Sequence, residues 1–342
     1  WPIVLTSVGI ALAVILILGR LAWSWYGPEE CFWVVALASA CGWFSAYARA
    51  GCYPQLYPML ALSTTFYLIR RWFDFQNFWI PGALAILTLI GLGSGIFLGA
   101  WNVVFLPPVL LAVCAWGRRL PIGRRALAFL AVSFCVYAAL LCAPYRLQGY
   151  SNFFDPIINI LKILDDRSFG MQIGLDAYGA PGGRLEQFLS LVRELFWRGE
   201  RFYLAREYPQ LPPPFDHIAG QPLVHPFLSI AAGAGVLRAL RRRTVQDKAL
   251  LVSLTVPVVL IVLIFGYEPR YVFIVLPSIL LLAGETIGRL WRSQSIRLPF
   301  LPGAIRIPAF AIKAAIVVGF GLFYVPDYHL SFIGESNERN RM

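Results

Sequence analysis

Residues 249–288 read ALLVSLTVPVVLIVLIFGYEPRYVFIVLPSILLLAGETIG. Two apolar runs, 249–266 and 271–288, stand back to back, and the turn between them carries Glu268 and Arg270 on either side of Pro269. A helix needs about 20 apolar residues to cross the hydrocarbon core of a bilayer, and each run comes close to that length. Pro269 pushes Glu268 out of helical geometry and suits the first turn of the helix that follows it. The stretch therefore predicts a hairpin of two membrane spans with its two charges at the tip.

The same pattern recurs along the chain. Apolar runs at 2–23, 32–48, 54–70, 79–92, 96–116, 125–142, 222–238, 249–266, 271–288 and 306–325 predict about ten spans, the fourth and fifth divided by the glycine-rich GLGSG of Gly91 to Gly95. Composition agrees. Apolar residues make up 58% of the 342 and charged residues 14%, against about 45–50% and about 25% in soluble domains, and the mean hydropathy is +0.67. The expected fold class is all-α, a polytopic transmembrane helical bundle with one large outer loop.

Charge orients the bundle. Arg70 and Arg71, then Arg118, Arg119, Arg124 and Arg125, then Arg238, Arg241, Arg242, Arg243 and Lys248, and finally Arg289, Arg292 and Arg297 all fall on one side if the first span runs inward. Basic residues gather in cytoplasmic loops, so that side is the cytoplasmic one. The short outer turns then hold Arg49 and Arg270. The clusters at 70–71 and 118–125 share a side only if the chain divides at GLGSG. The net charge of +11 is thus accounted for by orientation. With no basic stripe interleaved with aromatics, nucleic acid is excluded as a partner.

Three regions follow: an N-terminal bundle at 1–142, an extracytoplasmic loop at 143–221, and C-terminal spans with a short tail at 222–342. The loop carries nine acids and eight bases and is too long for a passive connector. RLEQFLSLVRELFWRG, Arg184 to Gly199, sets Leu185, Phe188, Leu189, Val192, Leu195 and Phe196 on one helical face. Such a helix lies in the interface or caps the bundle. FFDPIINILKILDDR is a second candidate of this kind, and PQLPPPFDH closes the loop as an extended strap. The six cysteines lie in or beside apolar runs without CxxC spacing, which makes them small core residues. His217, His225 and His329 are scattered, so no protein-only metal site is expected. The chain opens on Trp1 directly into a span, with no charged n-region or cleavage site, and is expected to lack its true N-terminus.

A charge at the edge of a span is a candidate functional residue. Arg270 stands at the start of a helix, where a cation opposes the dipole and where an anion is favoured by free N–H groups and a guanidinium together. A phosphate at the membrane surface would resolve that conflict; the alternative is an arginine that snorkels to anchor the turn. Arg49 ends the second span, where a cation is favourable in itself, and Tyr53 and Tyr57 read most simply as interfacial aromatics.

The run from Gly19 to Arg71, GRLAWSWYGPEECFWVVALASACGWFSAYARAGCYPQLYPMLALSTTFYLIRR, resembles the second to fourth spans of GT-C glycosyltransferases, in particular bacterial relatives of dolichyl-phosphate-mannose–protein mannosyltransferases. Tyr47, Arg49 and Tyr53 match that family's Y-x-R-E-A-R-x-Y, and the chain departs from it at Ala50 and Cys52. YEPRYVFIVLPSILLLAG is similar to the family's E-x-R-Y-x-x-x-x-x-P span through Glu268, Arg270, Tyr271 and Pro277, and GLGSGIFLGAWNVVFLPPVLL looks like its middle spans. The resemblance covers most of 5–142 and 222–290.

What the resemblance implies is transfer of a sugar from a polyprenyl-phosphate donor to a glycan, lipid or protein acceptor, at the outer face of a bacterial plasma membrane. The family's catalytic Asp precedes the region matched by this chain and is expected upstream of Trp1. The substrate-binding residues expected are Arg270, Glu268, Arg49, Tyr53 and Tyr271, with Arg270 and, as the weaker candidate, Arg49 lining one outward cavity between the spans. Departure of a lipid phosphate calls for a base on the acceptor and cations on the phosphate, with or without Mg²⁺ or Mn²⁺ as cofactor. Two other readings stay open: a transporter or flippase of a lipid-linked or small polar substrate, and a polymerase or ligase of lipid-linked glycans.

Overall fold

The computed structural model describes residues 2–41, 44, 48, 53–75, 189, 192, 224–265, 274–297 and 306–324, most of them helical. The chain divides into two compact units. The first gathers Trp1–Leu56, Arg193–Arg242 and Leu276–Met342, and the second Tyr57–Val192 and Arg243–Val275.

In the first unit, α1 spans Pro2–Trp25 and α2 spans Pro28–Ser39. Their connection is two residues long. The N–H groups of Tyr26 and Gly27 both donate to Ala22 O, at 2.9 and 3.2 Å. Gly27 then takes φ 129° and ψ −177°, a conformation open in practice to glycine alone. Pro28 starts α2 with its fixed φ, and Glu29 and Glu30 occupy the first turn, where carboxylates complement the helix dipole. A Cβ on Gly19 would lie 2.9 Å from Val35 Cγ2, so α1 and α2 pack closely as an αα-hairpin.

Helices α4, Pro226–Arg242, and α6, Leu276–Arg292, come next in this unit. Every residue from Leu276 to Gly288 is buried, which makes α6 its central helix. The contacts that bury it use small residues. A Cβ on Gly284 would meet Val34, and one on Gly288 would meet Glu30, so G-E-T-I-G lays α6 antiparallel on the backbone of α2. A Cβ on Gly235 would stand 2.7 Å from Leu282 O, and Ala231, Ala232 and Ala239 share that buried face of α4. Helices that meet without a hydrophobic drive between them rely on such close backbone approach.

The last helix, α7, spans Ala309–Val318 and continues as a π-helical turn over Gly319–Tyr324. Before it, β1 (Ser295–Arg297) and β2 (Arg306–Pro308) pair antiparallel, with Ile296 opposite Ile307 and Arg297 opposite Arg306. Where the sequence predicts a span from 306, the helix begins only at Ala309. Three residues per strand are too few to show an alternating pattern, which is why the hairpin escapes an all-α reading. The expected span at 32–48 is interrupted, because α2 ends at Ser39 with Cys41 N–H donating back to Ala38 O at 3.3 Å, while Phe44 and Ala48 beyond the break are again helical and buried.

In the second unit, α5 spans Val245–Phe265 and opens on a capping box. Thr244 N–H donates to Asp247 Oδ2 at 2.9 Å, and Asp247 N–H donates to Thr244 Oγ1 at 3.2 Å. The helix α3, Tyr53–Phe75, straddles the boundary between the units and carries Pro58 inside its first turns. Of the helix expected at 184–199, Leu189 and Val192 are described and helical; Leu189 is 56% exposed, so the chain itself does not cover it. The spans expected at 79–92, 96–116 and 125–142 lie outside the described residues.

Among the described residues one helix, Val4–Trp25, is long and apolar enough to cross a membrane, and Ala309–Leu322 is apolar but shorter. The surface of the first unit is notably apolar. On α1, Val14, Leu18 and Leu21 are buried, while Leu5, Leu12 and Leu16 face outward, Leu16 at 72%. Ile230, Leu237 and Leu240 on α4 and Phe310 and Leu322 on α7 are exposed as well.

Candidate functional site

Of the residues expected to bind substrate, Arg270, Glu268, Tyr271 and Arg49 lie outside the described residues. Tyr53 is the first residue of α3, and its backbone alone is described. What the structure does describe is the two ends of the first unit, whose helices lead toward those positions in the sequence.

Four helix termini gather at one end: the last turns of α1, α4 and α6 and the first turn of α2. Glu285 is fully buried there, and three arginines reach its Oε1. Arg242 Nη1 donates at 2.8 Å, Arg289 Nε lies at 3.3 Å one helical turn along, and Arg238 Nη1 lies at 3.7 Å. Glu285 Oε2 makes no hydrogen bond. Beside this hub Arg292 bridges the first turn of α2, with Nε 2.8 Å from Glu29 Oε2 and Nη2 bonded to Glu30 Oε1. Glu30 is buried completely. A buried carboxylate is tolerated only where cations and hydrogen bonds replace its lost hydration, so these pairs fix the axial register of α2, α4 and α6. Trp33 packs edge-on against Trp291 at 5.4 Å, and Lys313 Nζ lies 5.3 Å from the Trp291 ring centre. Aromatic rings and a cation thus border the hub.

The opposite end is aromatic. Tyr324 Oη donates to Leu37 O at 2.8 Å, and its ring stacks on Phe320 at 5.7 Å. His225 meets the Tyr324 ring edge-on at 5.3 Å, and its Nδ1 accepts the Phe227 N–H at 3.1 Å. That bond caps the start of α4 and assigns the proton of a neutral imidazole to Nε2. A Cβ on Gly319 would lie 2.6 Å from the Phe227 ring, which closes α7 against α4. His225, one of three scattered histidines in the sequence, is therefore a helix cap and a packing partner here. Among the described residues no group of three or more His, Cys, Asp or Glu is placed to hold a metal ion.

The helix directions agree with the parity that the charges require. α4 and α6 run parallel, with Gly235 at Leu282 and Arg238 at Glu285. α2 and α7 run the other way, with Leu37 at Tyr324 and Trp33 at Phe320. Arg238, Arg242, Arg289 and Arg292 consequently share one end of the unit. The acids that hold them, Glu285, Glu29 and Glu30, were not singled out by sequence reasoning. One signal was available for Glu285. It is an acid inside an otherwise apolar run, four residues before Arg289, which is the favourable order for a helical ion pair.

No protein-family model matches the chain, and no curated protein matches it. Two solved structures are similar to it. One is the crystal structure of the oligosaccharyltransferase of Archaeoglobus fulgidus in its apo form, at 15% identity and a TM-score of 0.48, covering 96% of this chain and 44% of that one. The other is the archaeal oligosaccharyltransferase AglB of Archaeoglobus fulgidus in complex with an inhibitory peptide and a dolichol-phosphate, at 14% identity and a TM-score of 0.44, covering 94% and 43%. The chain spans less than half the length of either.

Proposed function

We propose that this chain is a multi-pass GT-C glycosyltransferase of a bacterial plasma membrane, which moves a sugar from a polyprenyl-phosphate donor to a glycan, lipid or protein acceptor on the extracytoplasmic face. The observation that carries the reading is the turn YEPRYVFIVLP, in which a lone cation, Arg270, stands beside a proline break at the head of a span. The start of α6 supports it, since Ile274 and Val275 are already buried in a helical turn and the helix behind them is buried through Gly288. The membrane setting is supported by α1, which is apolar on its outward as well as its inward face and long enough to cross a bilayer. A helix hydrophobic all round belongs in a large core or a bilayer.

In the proposed reaction an acceptor hydroxyl or amide attacks the anomeric carbon of the donor. The bond from that carbon to the phosphate oxygen breaks, the acceptor's proton passes to a base, and polyprenyl phosphate leaves with the electron pair. Arg270 holds the phosphate and stabilises its growing charge. Glu268 orients the sugar or a partner group. Arg49 is the second cation in this scheme, and Tyr53 and Tyr271 flank the two arginines in sequence. Bound Mg²⁺ or Mn²⁺ would add positive charge beside the departing phosphate. The test is full-length protein in liposomes supplied with a radiolabelled polyprenyl-phosphate sugar and crude membrane acceptors. Label should move from the lipid to an acceptor. Movement of intact donor between leaflets, without transfer, would favour a flippase.

A further inference from the structure

We propose that Tyr324 is a positioning residue for Arg49, which it serves by holding the break in the second span at a fixed angle. The proposal rests on the glycosyltransferase reading, in which Arg49 is the second cation for the donor.

The backbone hydrogen bonds show what the break needs. In a continuing α-helix the Leu37 carbonyl would accept the N–H of Cys41, four residues on. Here α2 ends at Ser39, the Ala40 N–H donates to Ala36 O at 3.0 Å, and the Cys41 N–H turns back to Ala38 O at 3.3 Å. Leu37 O thereby loses its helical donor, and it does so where Leu37 and Cys41 are both buried. A buried carbonyl without a partner is costly, above all at membrane depth. Tyr324 Oη donates to it instead, at 2.8 Å, from a helix 287 residues further along the chain. Phe320, one turn before Tyr324, meets Trp33, one turn before Leu37. The π-helical turn of α7 thus follows α2 in step and delivers a hydroxyl to the carbonyl at the break. Tyr324 is itself buried, so water does not compete for that bond.

Beyond the break the span resumes. Phe44 and Ala48 are helical and buried, and residues four apart share one helical face, so this second piece is anchored on its inner side. Arg49 follows Ala48 directly in the chain. Its place is set by the direction in which the second piece leaves the break. α2, the segment through Ala48 and α7 all belong to the first unit, so the Tyr324 bond ties the break to a helix of the same compact body. Without the hydroxyl, Leu37 O is left unsatisfied and the break loses its fixed angle. Tyr324 touches no substrate in this scheme and acts through Arg49.

Tyr324→Phe keeps the ring and removes only the hydroxyl, which makes it the test in full-length protein in nanodiscs. Hydrogen exchange of the amides at 40–48 should quicken by about five- to tenfold, the value of one neutral hydrogen bond. With a polyprenyl-phosphate sugar as donor, KM and the dissociation constant should rise several-fold while kcat at saturating donor stays close to wild type. Coupling separates positioning from general loosening. Added to Arg49→Ala, Tyr324→Phe should weaken donor binding no further, whereas added to Arg270→Ala it should multiply the loss. Unchanged exchange at 40–48 would overturn the proposal. So would donor affinity that stays at the wild-type value in Tyr324→Phe but falls in Arg49→Ala, a result that leaves the glycosyltransferase reading standing. A Tyr324→Phe loss that adds in full to that of Arg49→Ala would overturn it as well. Wild-type donor binding by Arg49→Ala would instead remove Arg49 from the reading and the proposal with it.

Discussion

Gly284 lies where α6 rests on α2, and an added methyl there has nowhere to go. Its Cβ would stand 2.3 Å from Val34 Cγ2, 3.0 Å from Val34 N and 3.1 Å from Val34 Cα, against about 3.5–4.0 Å for relaxed carbon contacts. Trimming Val34 would remove only the first clash, because the other two are with backbone. Gly284→Ala must therefore push the helices apart by roughly 0.5–1 Å, at the cost of about 1–3 kcal/mol that overpacking brings. Alanine returns up to about 1 kcal/mol of helix propensity. The net expectation is a loss of about 1–2 kcal/mol, and separation of α2 from α6 would also disturb the Arg292 contacts to Glu29 and Glu30. Gly233 on α4 is the internal control, since a Cβ there meets nothing within 4 Å; Gly233→Ala should be neutral or stabilising by up to about 1 kcal/mol. Thermal unfolding of the purified protein in one detergent, followed by loss of the monodisperse chromatographic peak, compares the two. Gly284→Ala should melt below wild type and Gly233→Ala at or above it, with partial recovery in Gly284→Ala/Val34→Ala. Equal melting of the two alanine variants would refute the packing of α2 on α6.

Other consequences are as direct. Glu285→Gln keeps the volume but removes the charge shared by three arginines, and loss of one partner from a buried pair costs up to about 3–5 kcal/mol. The partial exposure of the arginines lowers the expectation to about 1–3 kcal/mol, read as a drop in melting temperature that is smaller at high salt; an unchanged melt would show that the hub contributes nothing to stability. Single cysteines placed at Ser190 and Gln246 should differ in labelling by an impermeant maleimide in intact cells, Ser190 reacting and Gln246 protected, because the basic loops place 246 inside. Equal labelling would remove the proposed topology.

Much of the helical layout is legible in the sequence, because length and apolarity are local properties. The runs at 2–23, 249–266 and 271–288 correspond to α1, α5 and α6 within a few residues. The gathering of the arginines at one end was also legible, since positive loops count along the chain without knowledge of its partners. What holds that end together was not. Arg242 and Glu285 are 43 residues apart and Arg292 and Glu30 are 262 apart, and no periodicity links such positions. Gly284 and Gly288 show as a G-x-x-x-G spacing, but the backbone that fills the groove between them belongs to Val34 and Glu30 and cannot be read from α6. Thr244 and Asp247 are the converse case, a local capping signal that marks the start of α5 four residues ahead of the run at 249. The residues expected at the outer face, Arg270 above all, lie outside the described residues.

Donor binding by Arg270→Ala tests the central proposal most directly. The measurement is the dissociation constant of a polyprenyl-phosphate sugar for the full-length protein, wild type and variant, in the same nanodiscs. Loss of a charged hydrogen bond to phosphate costs roughly 1.5–3 kcal/mol, so affinity should fall about tenfold to a hundredfold. Arg270→Lys should recover only part of it, because a point charge lacks the planar fork, and Glu268→Gln should slow turnover more than it weakens binding. A folded Arg270→Ala protein that binds the donor as tightly as wild type would mean that the turn at Pro269 anchors the hairpin and takes no part in holding a phosphate.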